Sequence, residues 1–594
     1  MTEHKLNEEQ EFAISQDGNV LLIACAGSGK TRVVVHKIVR ELRAIEESQS
    51  KQKVVALTFT HRAADEILKR INHIGISSNS LWIGTIHSFC LEWIIKPYSC
   101  YLDQTKDGFT IIDEVLAGDI IRKLREKHRI KSYGLNTKIN RDGSFFESDT
   151  SLINLLNEYH EILKSHKMID FDQILYLAYS ILFSSKNISE NLSNIFKTII
   201  ADEYQDIQDL QYAIISSIVN SRNGKTNIFF VGDPDQAIYT SLGGVYKNIR
   251  EIKQEFNDLE ITQISLSGNY RSNQRIINYS RFFQTTTRGD IIALGQNKDN
   301  AGVITIDNGT HCDNMLDEIT RIIRINLNKG VPENEICILI PQWVLIRTLA
   351  RKLRLMMPDV NFDASGMTPL SQNKYNIWNK LSKLFLTNPN PKIYSYRLRW
   401  ASEVIEELQD CTDSILMPPA NEAKGFLKTI NSISSDKDDG IEYLDECFSQ
   451  LIDVLNINMS IHKTLIEKKD IFFNGVRDRI TADNAPSDIN SFKNFYREAS
   501  GIVINTCVGV KGEEFETVIA FGLLHGYVPH WNEIKKNEHE ATISAKRLLY
   551  VICSRAKNNL HLICETGRTN ARGEFEQNKI LAGITGYPYD NLPH

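Results

Sequence analysis

Residues 19–31 read Asn-Val-Leu-Leu-Ile-Ala-Cys-Ala-Gly-Ser-Gly-Lys-Thr. The apolar run 19–25 has the length of a buried strand, and Gly27 and Gly29 turn the chain out of it. The stretch that follows, TRVVVHKIVRELRAIEE, suits a helix. Strand, glycine loop and helix in that order open an α/β sheet of the phosphate-binding kind. Small residues let the backbone approach a phosphate closely. The successive N–H groups of Ala26, Gly27, Ser28 and Gly29 can then cradle its oxygens. Lys30 would reach the β- and γ-phosphates of ATP, and Thr31 would ligate Mg2+. The strict pattern has glycine where Ala24 stands, so the loop is a near match. The competing reading is a glycine-rich helix start that happens to precede Lys-Thr.

Working outward, further apolar strand candidates are 54–59, 81–83, 198–201, 228–231 and 260–266. Helical stretches separate most of them, which predicts a parallel, doubly wound sheet. A second set, 303–306, 335–340, 502–505, 517–521 and 559–564, suits a second α/β lobe. Residues 92–194 interrupt the first set, and the helix-biased, polar stretch 376–495 interrupts the second. The polar tracts SSKNISENLSN (184–194) and NSISSDKDDG (431–440) read as loops.

Two of the strands end in groups that could serve a nucleotide. After 198–201 come Asp202 and Glu203. Asp202 can hold Mg2+ through water, and Glu203 can orient and deprotonate an attacking water. After 228–231 comes Gly-Asp-Pro-Asp-Gln, ending at Gln236. Its neutral amide both donates and accepts, so it can sense a γ-phosphate and relay that state. Taken alone, the acidic pair is a weak signal that a solvent-facing strand end also explains, and the Gln236 segment reads better as a Pro-containing surface turn.

Composition narrows the class. The chain has 594 residues, enough for several domains, and 42% of them are hydrophobic, enough for sizeable cores. None of the 10 cysteines falls in a CxxC pair, which speaks against a disulfide scaffold or a zinc site. No apolar run approaches the roughly 18 residues that span a membrane, and the polar start MTEHKLNEEQEF is not a signal peptide. A soluble, cytoplasmic protein with no membrane partner is expected. The net charge of −6 is not that of a globally basic nucleic-acid binder. It leaves room for a local groove of donors and stacking rings.

The three segments above, followed by Asn269-Tyr270-Arg271-Ser272 and Tyr550-Val-Ile-Cys-Ser-Arg555-Ala556, resemble a superfamily 1 helicase of the UvrD/Rep/PcrA type. The order and spacing agree from about residue 6 to 565. The resemblance implies two RecA-like lobes, each with a mainly helical insertion. The boundaries expected are 1–91 with 195–265 for the first lobe and 92–194 for its insertion. The second lobe takes 266–375 with 496–594, and its shortened insertion 376–495. The resemblance also implies that Gln10, in LNEEQ, reads the adenine edge and that Arg32 and Tyr270 sandwich the ring. Arg271 and Arg555 would be two arginine fingers from the second lobe. Gly512 and Glu514, in Val510-Lys-Gly-Glu-Glu-Phe515, would meet the nucleotide, Glu514 at the ribose. Single-stranded DNA would lie on Phe59 and Thr60, in a segment similar to FTNKAA, and on Thr85 and His87, in one similar to GTFH, with Tyr239 as a further stacking ring.

The implied activity is an ATP-driven single-stranded DNA translocase or helicase of 3′→5′ polarity. Two alternatives stand beside it. One is a UvrD-like ATPase partner of a separate nuclease subunit, as in Gabija-type anti-phage defence. The other is a nucleotide-gated DNA-binding module without hydrolysis. The chain also departs from the family. After Tyr239 it reads Thr-Ser-Leu-Gly-Gly where the family has a Trp-Arg pair, so Ser241 and Leu242 lack the ring and the cation. Val508 stands at the family's histidine position in TLHSAKG. The family's Gly-Ile-Gly duplex contact is not found in the shortened insertion. ATP chemistry is therefore expected to be intact and duplex unwinding weak.

Overall fold

The structure, a computed structural model, describes residues 5–593 apart from 113, 131–134, 222–224, 240–242, 365–368, 371–375, 413–415, 484, 498–500 and 571–572. The Trp-Arg departure at Ser241 and Leu242 thus lies outside the described residues.

The chain forms two compact units: residues 1–110, 121–342 and 505–594 make the first, and 111–120 with 343–504 the second. Six strands of the first unit are β1 (Val20–Ala24), β2 (Lys53–Thr58), β3 (Leu81–Thr85), β4 (Phe196–Asp202), β5 (Asn227–Gly232) and β6 (Thr262–Leu266). They pair in the order β3-β2-β4-β5-β1-β6, and every pairing is parallel. The near-continuous apolar runs read from the sequence are what a sheet covered on both faces requires. Val20, Leu22, Ile200, Phe229 and Val231 are all fully buried.

Four more strands of this unit are β7 (Val303–Asp307), β8 (Ile336–Ile340), β9 (Phe515–Ala520) and β10 (Ala556–Ile563). They run β7-β10-β9-β8, again all parallel. The helices that matter for the site are α1 (Glu8–Ser15), α2 (Lys30–Glu47), α3 (His61–Ile74), α4 (Phe171–Ser184), α5 (Lys186–Ile195), α6 (Gln274–Ser280) and α7 (Glu538–Ser554). The fold is therefore α/β with two parallel sheets and many helices. Among the described residues, no helix is long and apolar enough to cross a membrane.

One expectation needs correction. The tract 184–194 is not a loop, because α5 occupies most of it. Its polar composition hides an i, i+4 stripe: Ile188 and Leu192 are buried, and Ser189 and Ser193 are buried with them. The tract 431–440 does connect two helices, Ala423–Ser432 and Gly440–Val454.

The second unit is mainly helical around its own core. Trp378, Leu381, Phe448, Leu451 and Phe492 are fully buried. The Trp378 and Phe448 rings lie 4.8 Å apart, and the indole N–H donates to the Leu465 carbonyl at 3.0 Å. A buried tryptophan of this kind supplies a large apolar surface while keeping its one donor satisfied.

Candidate functional site

The first-unit strands end on one edge, and the loops beyond them build the site. The loop after β1 is set by two glycines in the left-handed region, Gly27 at φ 73° and Gly29 at φ 81°. At Gly27 a Cβ would stand 2.6 Å from the Arg271 Cβ, so only glycine allows this approach. Gly29 is the N-cap of α2 and has no side chain to cap it. The orphan N–H groups of the 18-residue helix are thus left for an anion, and the helix dipole favours one. Ser28 is turned inward, its Oγ donating to the Cys25 carbonyl at 2.8 Å.

Lys30 Nζ, on the first turn of α2, lies 3.7 Å from Glu203 Oε1. Glu203 follows β4 in the left-handed region at φ 56°, a conformation that costs a non-glycine residue energy and recurs at functional sites. Its N–H donates to Asp202 Oδ1 at 3.0 Å, and its carboxylate accepts from Gln205 Nε2. Burial opposes the Glu203 charge. The ammoniums of Lys30 and Lys511, with the Gln205 hydrogen bond and the Arg555 guanidinium, together outweigh it and hold the carboxyl below its ordinary range. Asp202 moves the other way, raised by burial and by the charge on Glu203. Two adjacent carboxyls pushed apart in this manner separate a group that stays ionised from one in need of a cation.

Two arginines, one from the segment after β6 and one from the junction of α7 and β10, join the same place. Arg555, at the end of α7, is 1% exposed. Its Nη2 donates to Gln236 Oε1 at 2.8 Å and its Nη1 to the Glu513 carbonyl at 3.1 Å. Burial and then the Arg271 guanidinium work against the Arg555 charge, a strain that a bound anion would relieve. Arg271 donates through Nε to Glu514 Oε2 at 2.7 Å and through Nη1 to the Ser554 carbonyl at 2.8 Å. Asn269 ties this segment to the phosphate loop, its Nδ2 donating to the Ala26 carbonyl at 2.8 Å. The Tyr270 N–H donates to the Gly27 carbonyl at 2.8 Å.

The remaining expected residues fall around this cleft. Gln10 is 1% exposed and doubly engaged. Its Oε1 accepts from the Asn7 N–H at 3.2 Å, and its Nε2 donates to the Ser28 carbonyl at 2.9 Å. One donor and one lone pair are left over. Arg32 is partly exposed on α2, and Thr31 is partly exposed beside Lys30. The Tyr270 hydroxyl accepts from Asn7 Nδ2 at 2.9 Å. Gly512 has φ 91°. Glu514 is exposed and pairs with Arg271.

On the adjoining face, Phe59 is 46% exposed and stacks on Tyr239 at 4.6 Å with the planes 23° apart. His87 stacks on Phe171 at 4.1 Å. The Thr60 and Thr85 hydroxyls cap α3 and the short helix Ile86–Phe89, accepting from Ala63 N at 3.2 Å and Ser88 N at 3.4 Å.

Sequence reading missed four participants. Lys511 reaches Asp206, donates to the Gln236 carbonyl at 3.0 Å and lies 4.8 Å over the Tyr239 ring. Both Lys511 and Asp206 sit inside segments already singled out, and their opposite charges were the available signal. Phe171 and Arg288 lie outside those segments, and nothing in their local sequence marks them.

Residues 6–257 match the family described as the UvrD/REP helicase N-terminal domain. The chain is 24% identical to the ATP-dependent DNA helicase PcrA of Staphylococcus epidermidis, over 95% of this chain and 84% of that one. It is likewise 24% identical to the probable DNA helicase II homolog of Mycoplasma genitalium, over 94% and 84%. Identity to PcrA of Staphylococcus aureus is 22%, over 99% and 85%. With the phosphate loop, the paired carboxyls and the two arginines gathered in one cleft, residues 6–257 match a UvrD/REP helicase N-terminal domain and most of the chain is similar to helicases of the UvrD/Rep/PcrA type.

Proposed function

We propose that the protein hydrolyses ATP and uses it to move along single-stranded DNA, in the 3′→5′ direction. The observation that carries this is the gathering of Lys30, Glu203, Gln236, Arg271 and Arg555 around the glycine loop. Lys30 stands at Glu203, Arg555 at Gln236, and Arg271 beside the Gly27 backbone. A phosphoryl group set there would be neutralised by Lys30, Arg271 and Arg555, always-charged guanidiniums being suited to a spread transition-state charge. Glu203 would accept the proton of the attacking water, for which its ionised state fits it. Arg32 and Tyr270 would hold the adenine ring, with Gln10 at its edge.

Thr31 and Asp202 would hold Mg2+. Their oxygens suit a hard cation, and a buried, charge-raised Asp202 is a carboxyl in need of one. When bound, the ion supplies charge neutralisation between the phosphates.

In this reading residues 1–91 with 195–265 act as one lobe and 266–375 with 496–594 as the other. The segments 92–194 and 376–495 are their insertions. Lys511, paired with Asp206 and lying over Tyr239, supports coupling between the phosphate cleft and the ring-bearing face. DNA bases would stack on Phe59 and Tyr239, and Thr60, Thr85 and His87 would line the same path.

The test is ATP turnover with and without single-stranded oligonucleotide, followed by displacement of streptavidin from oligonucleotides biotinylated at either end. The expected results are DNA-stimulated hydrolysis and faster displacement from the 5′ end. Turnover indifferent to DNA would overturn the motor reading, and faster displacement from the 3′ end would reverse the polarity.

A further inference from the structure

The segment Thr285-Thr286-Thr287-Arg288, which follows α6 and has no part in the roles above, is packed against the loop Asp233-Pro234-Asp235-Gln236. Arg288 Nη2 contacts Asp233 Oδ1 and lies 2.7 Å from Asp235 Oδ2. Its Nε donates to Thr286 Oγ1 at 3.2 Å. Asp235 Oδ1 accepts from the N–H of Thr285 at 2.7 Å, the N–H of Thr286 at 3.0 Å and Thr285 Oγ1 at 2.9 Å. Its Oδ2 accepts from Thr286 Oγ1 at 2.9 Å. Both aspartates are fully buried. Among the described residues, Arg288 forms the ion pair of each.

Asp233 passes this anchoring on. Its Oδ2 accepts from Gln236 Nε2 at 2.7 Å and from the Tyr550 hydroxyl at 3.3 Å. The other end of the Gln236 amide, Oε1, accepts from Arg555 Nη2 at 2.8 Å. An amide can take two orientations. Here the flipped one would aim N–H groups at the Arg555 donors and an oxygen at the Asp233 carboxylate, losing both bonds. Gln236 is therefore held one way round for as long as Asp233 is an ionised acceptor in this position. A buried carboxylate keeps that state only with a cation beside it. Burial pushes the Asp233 carboxyl up, and the Arg288 guanidinium, together with the Lys30 charge and the Gln236 hydrogen bond, more than offsets it.

We propose that Arg288 is a positioning residue for nucleotide sensing: through Asp233 it fixes the orientation in which the Gln236 amide meets Arg555 and the γ-phosphate. The proposal rests on the ATP reading above. It adds a residue that sets how well the chain distinguishes a nucleoside triphosphate from a diphosphate.

The experiment uses the full chain with Arg288→Met, Arg288→Lys, Gln236→Ala and the Arg288→Met/Gln236→Ala double variant. Calorimetry gives the affinities for ADP and for a non-hydrolysable ATP analogue with Mg2+, and turnover is read with saturating single-stranded DNA. Arg288→Met is expected to leave ADP affinity within about threefold and to lose most of the preference for the triphosphate. Its kcat falls roughly tenfold to a hundredfold and KM for ATP rises in step with the lost triphosphate affinity, as a displaced γ-phosphate contact implies. Adding Gln236→Ala costs little more, because the two act through one group. Arg288→Lys keeps the charge but not the bridge to both aspartates, and lies between.

A merely structural role predicts lowered thermal stability with triphosphate preference intact, and losses that multiply with Gln236→Ala. Either result overturns the relay. If Arg288→Met does not fold, Arg288→Lys combined with Gln236→Ala decides by the same rule of additivity. A wild-type chain that bound neither nucleotide would overturn the function proposed above and the relay with it. Normal wild-type turnover beside an unchanged Arg288→Met overturns the relay alone.

Discussion

The cleft proposed to bind phosphate and the ring-bearing face lie side by side and are built on opposite principles. In the cleft almost every charged side chain is partly or wholly buried and already bonded to another: Lys30 to Glu203, Arg271 to Glu514, Arg555 to Gln236, Lys511 to Asp206. On the face, Phe59 stands 46% exposed against Tyr239, and His87 lies on Phe171. Its hydroxyls at Thr60 and Thr85 are occupied in capping helices. Phosphoryl transfer needs charges within a fraction of an ångström of their places, so the cleft is over-determined by mutual contacts. A strand that must slide needs surfaces that any base can stack on, and rings give that without fixing position. The two regions should therefore fail differently when altered.

The largest effects are expected in the cleft. Lys30→Ala should leave the chain folded, since Lys30 stands on the first turn of α2 with its charge at Glu203 rather than in an apolar core, and should reduce ATP turnover about a thousandfold or more. Near-wild-type turnover in a folded variant would remove Lys30 from the site. Glu203→Gln keeps the shape of the side chain but not its basicity. It should bind ATP with near-normal affinity and hydrolyse it roughly a hundred- to ten-thousandfold more slowly. Affinity and single-turnover hydrolysis, measured side by side, check this. Lost affinity with preserved turnover per bound ATP would exchange the roles given to Asp202 and Glu203.

The face should answer with smaller, graded losses. Phe59→Ala removes one ring of the stacked pair, and base–aromatic stacking contributes about 1–3 kcal/mol per base. Affinity for a poly-dT oligonucleotide, read by fluorescence anisotropy, should weaken by about five- to a hundredfold. Because the lost contact is not ionic, the slope of log affinity against log salt should stay as it is in the wild type. A changed slope would mean that Phe59 acts by placing a cation rather than by stacking.

The same contrast explains how much could be read in advance. The strands β1 to β10 were legible because parallel strands buried on two faces are written as apolar runs, and the loop 24–31 because only glycines and small residues permit its backbone; the strand Phe362–Ala364 was not read. The helix α5 was not, because two buried isoleucine and leucine side chains among serines and asparagines carry too little hydrophobicity to outvote the composition. At the cleft, Lys30, Glu203, Gln236, Arg271 and Arg555 stood in recognisable local patterns, and the structure brings them together. Arg288 could not be found that way. Its partners Asp233 and Asp235 lie more than fifty residues earlier, and only the folded chain makes Thr-Thr-Thr-Arg mean anything. Glu514 illustrates the reverse: its segment was legible, but its pairing with Arg271 was not.

The smallest expected effect tests whether the face works by rings alone. His87 could bind a DNA backbone as a cation or line the path as a neutral ring. Burial, with a further push from His61, lowers its pKa to about 3, and the imidazole lies flat against Phe171. It is therefore neutral in the folded chain throughout the physiological range. The unfolded chain takes a proton on this residue as pH falls through about 6.5, while the folded chain does not until near 3. Between those two values the unfolded state binds more protons, so stability rises with pH and is lost as pH falls. Above the unfolded value the group contributes no pH dependence. The midpoint of thermal unfolding should accordingly drop less between pH 7.5 and pH 5 in His87→Gln than in the wild type. Single-strand affinity of the wild type should carry no step from His87 across the same range. A rise in DNA affinity on acidification that His87→Gln abolishes would mean that the imidazole charges when DNA is bound. The face would then resemble the cleft in using a placed charge, and the contrast between the two regions would not hold at this residue.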